Sequence, residues 1–364
     1  MATLDLSTPA PANQHAPTHP PHDKPGHITI RTGPLAVRLN LRVIGISLVV
    51  LALTATLAVF AMTRGSYSIP FMDVVRAVFG RGDEDQLFIV RTLRLPRVIC
   101  AMLIGAALAT AGAVFQGLVR NPLVSPDIIG IDTGASLVAV FWIVFGFSAA
   151  LLPLAAFIGA LAAALMVYTL SWKGGISPNR LILVGIGVGS AISALTTLIT
   201  VRFPIEQVRP AIVWTMGSIY GSNWRDVKVL LGFLVVCLPL AIALMWYLRA
   251  LQLGDDVARG LGMPVERLRL SLIVIGCALA AVAVAVAGPI GFVALMVPHM
   301  ARMLAGALSS SVLVLTAIMG AFFLLAADTI AQHFLPVSLP VGVVTAAVGA
   351  PYFLFLLYRS NVRM

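Results

Sequence analysis

The sequence predicts an all-α membrane protein, a polytopic bundle of about ten transmembrane helices, and three observations carry that prediction. Hydrophobic residues make up 60% of the chain and charged ones 10%, giving a mean hydropathy of +1.01. Uncharged stretches of about twenty residues or more recur along it, each long enough for a helix to cross the ~30 Å apolar core of a bilayer. These stretches are continuous in Leu, Val, Ile, Ala and Gly, whereas a membrane barrel needs short segments alternating with period two.

Residues 1–40 stand apart from the bundle. The stretch MATLDLSTPAPANQHAPTHPPHDKPGH is rich in Pro, His, Thr and Ala and has no apolar period. It cannot offset the entropy of ordering and is expected to be a disordered cytosolic tail. His15, His19, His22 and His27 lie in it, but no Cys or carboxylate framework fixes a metal geometry around them. A secretory signal is not expected, because the first long apolar run begins only at Val43. The membrane domain is expected over 41–364.

Charges bound the spans. Residues 43–62, 98–119, 181–201 and 229–248 are uncharged and each fits one crossing. The uncharged runs 133–172 and 270–301 are too long for one helix and are expected to break at 146–153 and at Gly288-Pro289-Ile290-Gly291. Two more crossings, 312–334 and 341–358, flank the turn 335–340. An even count puts both termini on one side. With the N-terminus in the cytosol, more than half of the 24 Lys and Arg fall in cytosolic segments, as insertion favours. The segment 65–86, with Asp83, Glu84 and Asp85, is expected to be a solvated outer loop.

Arg91, Arg94 and Arg97 recur at every third position of RTLRLPR, on what this topology makes the outer face, against the insertion bias. They can pair with carboxylates of a soluble protein, or contact lipid headgroups or cap a helix. The crossing that follows carries Gly105, Ala106, Ala109, Gly112 and Gly117, spaced for close helix approach. It ends in RNPLVSPD, where Pro122 and Pro126 stop regular helix and leave polar backbone at the cytosolic mouth, as a gate or a protein-buried loop would.

The densest polar island is LQLGDDVARGLGMPVERLRL, residues 251–270, which gathers Asp255, Asp256, Arg259, Glu266, Arg267 and Arg269 between two apolar runs. Such an island offers a handle to something soluble. Gly254 and Gly262 permit sharp turns, Asp255 and Asp256 suit a helix N-terminus, and Pro264 is expected to start a second short helix that presents Glu266 and Arg267.

Other polar features have bland explanations. Cys100, Cys237 and Cys277 lie in separate apolar spans without pair spacing and fit as small core residues. Gly185, Gly187 and Gly189 lie in a membrane run without a preceding strand, which fits packing rather than nucleotide binding. Asp328 and His299 sit at membrane depth; a cap or an inter-helix hydrogen bond accounts for each, with a proton or substrate role the functional alternative for Asp328. The chain contains no GxxxxGK[ST] sequence and is expected to hydrolyse no ATP by itself. A secondary transporter would want paired intramembrane carboxylates, and an intramembrane enzyme a cluster of His, Asp, Ser or Cys on facing helices. Neither pattern is visible, and nothing points to a metal, a cofactor or nucleic acid.

The blocks RLPR, RNPLVSPDIIGIDTGAS, GDDVARGLGMPVERLRL, GPIGFVALMVPHMAR, LLAADTIAQ and LPVGVVTAAVGAPYFLFLL, in this order between 94 and 357, resemble the permease subunits of bacterial ATP-driven importers for iron-siderophore complexes and vitamin B12. The similarity is greatest to permeases of the ferric-enterobactin type. The resemblance implies a multi-pass plasma-membrane protein of ten helices with both termini cytoplasmic. It also implies a second permease subunit, favoured as a paralogue, with ATPase subunits beneath and an extracytoplasmic substrate-binding protein above. On the same ground Arg94 and Arg97 are expected to dock the binding protein, and Asn121 and Leu123 to form one cytosolic gate loop, with Pro178 and Asn179 in the other. The island's Gly254, Asp255, Asp256, Arg259, Gly262, Glu266 and Arg267 are expected to belong to coupling helices at 251–270 that meet the ATPase. Where some relatives carry a further outer arginine, this chain has Gln332 and His333. Ferric siderophores are the expected cargo, with cobalamin or haem the alternatives.

Overall fold

The computed structural model describes residues 27–32, 35–65 and 67–361 of the 364-residue chain. Its helices are α1 (Leu41–Thr63), α2 (Phe71–Val78), α3 (Glu84–Phe88), α4 (Leu95–Val119), α5 (Ile131–Val144), α6 (Leu152–Ser171) and α7 (Pro178–Arg202). They continue as α8 (Ile205–Thr215), α9 (Trp224–Gln252), α10 (Asp255–Gly260), α11 (Val265–Ala287), α12 (Val293–Ala305), α13 (Ser310–His333) and α14 (Val341–Asn361). Among the described residues, seven helices are long and apolar enough to cross a membrane, and three shorter apolar ones, Ile131–Val144, Val293–Ala305 and Val341–Leu356, bring the candidates to the expected ten. The two long uncharged runs break where the sequence places the breaks, at 145–151 and 288–292.

The core forms around α4. Every residue from Ala107 to Leu118 is buried, and the helix packs against α13, α11, α9 and α12. Small residues make this approach possible: a Cβ on Gly105 would overlap the carbonyl of Gly320 on α13, and a Cβ on Gly320 would overlap the carbonyl of Gly105. Two backbones in contact bring the neighbouring side chains together, the main source of helix association where lipid is as apolar as the protein. By contrast α7 is nearly bare, with 11% of its apolar window buried.

Three local expectations are corrected. The segment 65–86 is not simply a solvated loop, because α2 and α3 lie in it. FMDVVRAV places Val74 and Ala77 on one face, and that face is buried. The island does not form two short helices. Only α10 is short, and Pro264 caps the full-length α11, since nothing between Val265 and Ala287 interrupts a helix. Within the expected tail, His27–Thr32 and Leu35–Asn40 form a two-stranded antiparallel ribbon with His27 opposite Asn40 and Thr32 opposite Leu35. The period-two run of Ile28 and Ile30 against Val37 and Leu39 accounts for it. Residues 1–26 of that tail lie outside the described residues.

Candidate functional site

The charged residues singled out in the sequence gather at the two ends of α4. At its N-terminal end, a π-helical turn, Ile89–Arg94, leads from α3 into α4 and turns Arg94 back toward the end of α1. Its guanidinium donates to the carbonyls of Met62 and Tyr67. Arg97 donates from Nε and Nη2 to the two oxygens of Asp328 on α13, at 3.0 and 2.8 Å, in the bidentate geometry that a guanidinium favours. Its carbon Cζ also lies 5.9 Å from the Tyr220 ring centroid, and the Gln332 amide lies 3.4 Å from both Asp328 oxygens. Asp328 therefore makes an inter-helix ion pair, one of the readings its position allowed. Both arginines expected to face a soluble partner thus have partners inside the chain. Arg91 is the exposed member of the triplet; Trp224 Nε1 donates to its carbonyl at 2.9 Å.

At the other end, α4 stops at Arg120, which is left-handed with φ 58°. The chain then enters the first expected gate loop. The Asn121 side chain accepts from the backbone of Leu123 at 2.9 Å, and the Ser125 hydroxyl donates to Asp127 at 2.7 Å. The loop is a hydrogen-bonded turn rather than a flexible strap. The second expected gate, Pro178 and Asn179, is the start of α7 itself and not a loop before it. Arg180 donates to the carbonyls of Ser171 and Gly175, which folds residues 171–175 back on themselves, and Pro178 opens α7 with Asn179 exposed beside it.

The island joins these two loops. Gly254 at φ 125° and Gly262 at φ 75° make the turns on either side of α10, with Asp255 and Asp256 in its first turn where the helix dipole favours carboxylates. Asp256 and Arg259 pair at 3.5 Å across the exposed side of α10, Arg259 also lies 4.0 Å from Glu266, and Arg267 is exposed. Asp255 points inward. It accepts from Arg269 Nη2 at 2.9 Å with both oxygens and from Arg120 at 3.2 Å. Arg269 Nη1 donates to the carbonyl of Ile176 at 2.7 Å, and Glu266 accepts from the backbone nitrogen of Ile176 at 3.4 Å.

Arg269 is the residue the sequence reading passed over. It had a signal: Val265, Arg269, Leu272 and Gly276 are buried along one stripe of α11, at the spacing of a helical face, whereas Arg267 falls off that stripe.

Along α7, a groove of about 640 Å³ is lined by Asp127 and Ile128 and, on α7, by Gly185, Gly189, Ser190, Ser193 and Thr197. Gly185 packs on the carbonyl of Ile128 as expected, but Gly187 has nothing within 4 Å and faces outward.

The FecCD transport family matches residues 51–359. The "Probable siderophore transport system permease protein YfhA" of Bacillus subtilis (strain 168) is 43% identical over 323 residues, covering 86% of this chain and 94% of that one. The "Ferric enterobactin transport system permease protein FepG" of Escherichia coli (strain K12) is 39% identical over 305 residues, covering 83% and 92%. Among solved structures, an inward-facing metal-chelate type ABC transporter superposes with a TM-score of 0.78 at 33% identity, covering 87% of this chain and 98% of that one.

Proposed function

The chain belongs to the FecCD transport family, and we propose that it is the permease subunit of an ATP-driven importer that passes ferric-siderophore complexes from an extracytoplasmic binding protein into the cytoplasm. The observation that carries the proposal is the continuous match to siderophore permeases over most of the chain.

The residues support a division of labour. The exposed side of α10, with Asp256 and Arg259, together with Arg267 in the first turn of α11, is the surface for a separate ATPase subunit, since the chain has no nucleotide-binding sequence of its own. On this reading the α10 end and both termini are cytoplasmic, and the Arg97 end faces out. The exposed surface of α7 carries Gly187, Ser190, Ser193 and Thr197 among apolar residues such as Leu183, Ile186 and Leu198, a mixture of small polar and apolar groups. It supports a second permease subunit, a paralogue, across a shared path. Weak, scattered hydroxyl contacts along that path suit a large chelate that must be released again. Arg94 remains in the docking surface, with the exposed Arg91 beside it. Arg97 contributes by shape, since Asp328 already neutralises it. ATP binding and hydrolysis move α10, and the loops at 121–123 and 176–179 open toward the cytoplasm.

The test is reconstitution of this chain with a second permease, the ATPase and the binding protein in proteoliposomes. Radioiron-labelled ferric catecholate or hydroxamate should accumulate only with ATP inside the ATPase compartment and binding protein outside. Uptake by this chain alone in a proton gradient would overturn the proposal, and uptake of cobalamin or haem in place of iron chelates would overturn the cargo.

A further inference from the structure

Arg269 lies where the ATPase-facing segment and both gate loops meet. Among the described residues it and Asp328 are the only charged side chains that are buried, and its own side chain is 4% exposed. A guanidinium in that position is tolerated only while its partners stay in place, because an uncompensated buried charge is strongly unfavourable. Those partners come from separate parts of the chain: Asp255 at the start of α10 and the carbonyl of Ile176, two residues before Pro178. Through the shared Asp255 carboxylate, Arg120 is joined to the same group, and Arg120 immediately precedes Asn121.

We propose that Arg269 is the positioning residue that couples α10 to both gate loops, so that a displacement of α10 moves the loops at 121–123 and 176–179 together. The inference rests on α10 being the ATPase-facing segment. The alternative link, Arg120 to Asp255 alone, joins side chains 43% and 33% exposed and is weakened by solvent screening. It also reaches only one loop. Glu266 reinforces the second connection, because it accepts from the nitrogen of Ile176 while lying 3.4 Å from Arg269 Nη1. Both backbone polar groups of Ile176, its N–H and its C=O, are thus held by side chains from the first two turns of α11. A planar fork is needed for this: one nitrogen serves Asp255 and the other serves Ile176. Lysine keeps the charge but has a single nitrogen, and it cannot span both partners.

Arg269→Lys separates coupling from folding. In the reconstituted importer, binding-protein-stimulated ATP hydrolysis should stay within about twofold of wild type, while chelate taken up per ATP falls roughly tenfold, a loss within the usual range of coupling between sites. Equal losses of hydrolysis and uptake, or an unchanged ratio, would overturn the proposal, since a residue that only stabilises the fold does not alter the ratio. If Arg269→Lys does not assemble, Asp255→Asn decides. It keeps the shape of the carboxyl group and removes the charge that Arg269 and Arg120 share, and it should lower the same ratio; an unchanged ratio there would also overturn the proposal. A wild-type complex that imports nothing with ATP would refute the permease function itself and not this inference.

Discussion

Asp328→Ala tests whether the pairing of Arg97 is electrostatic in origin. The Asp328 side chain is 8% exposed and that of Arg97 is 19%, so removing the carboxylate leaves a largely buried guanidinium without its counter-charge. Breaking such a pair costs ~3–5 kcal/mol in a closed interior. Arg97 keeps a route toward water and the Tyr220 ring at 5.9 Å, and the Gln332 amide can turn its oxygen to the guanidinium. These partners bring the expected loss down to about 2–3 kcal/mol. For a chain longer than the domains on which the scaling rests, ~2 °C per kcal/mol is appropriate, which gives a fall in Tm of about 4–6 °C. The assay is thermal unfolding of the purified chain in nanodiscs. The double variant Arg97→Met with Asp328→Leu removes both charges and should recover to within ~1 kcal/mol of wild type. A double variant as unstable as the single one would show that packing, not charge compensation, holds α4 to α13 here.

Gly105→Ala should cost about 1–3 kcal/mol in the same assay, because the new methyl overlaps the Gly320 carbonyl and must push α13 away. Gly187→Ala, with nothing within 4 Å, should leave the isolated chain unchanged; similar losses for both would contradict close backbone packing as the cause. Arg94→Glu should slow association of the binding protein, measured by surface plasmon resonance, and flatten its dependence on ionic strength. Arg97→Glu should act less on that rate, since Asp328 already screens Arg97, and equal effects would return Arg97 to the docking surface.

Most of the bundle was legible because a bilayer imposes one length on every crossing, and charges at the ends of apolar runs mark it. The breaks at 145–151 and 288–292 were legible for a related reason, as forty uncharged residues cannot form one helix across ~30 Å. What escaped lies where no membrane length applies. α2 is amphipathic over eight residues and is lost among loop residues, and α8, with Pro210 inside it, looks like an irregular connection. The site shows the same division. Residue types and turns at 121, 178 and 254–266 could be read locally, but the pairing of Arg97 with Asp328 spans 231 positions and leaves no local trace. Arg97 looked like a charge seeking an external partner, and Asp328 like a cap or an inter-helix group with no partner named; each is the other's partner. Arg269 was half legible, since its place on a buried stripe required only that the helix starting after Pro264 be continued through it to full length.

The two ion-pair clusters also constrain how the chain can move. Arg97 ties α4 to α13 at one end, and the close contact of Gly105 with Gly320 holds the same two helices together nearer the middle. A rotation of α4 against α13 would break a buried charge pair and separate two backbones at once, so these helices must move as a unit. At the other end the ties run through exposed or half-exposed groups, Arg120 to Asp255 and Arg259 to Glu266, apart from the buried fork of Arg269. Helix α7 has little to lose by shifting, with only 11% of its window covered, and the loop before it is attached to α11 through the two bonds at Ile176. On the proposed gating, opening at the α10 end is therefore cheapest as a displacement of α7, together with the loops that Arg269 ties to α10, relative to a fixed α4 and α13. The groove lined by α7 and Asp127 lies on that boundary.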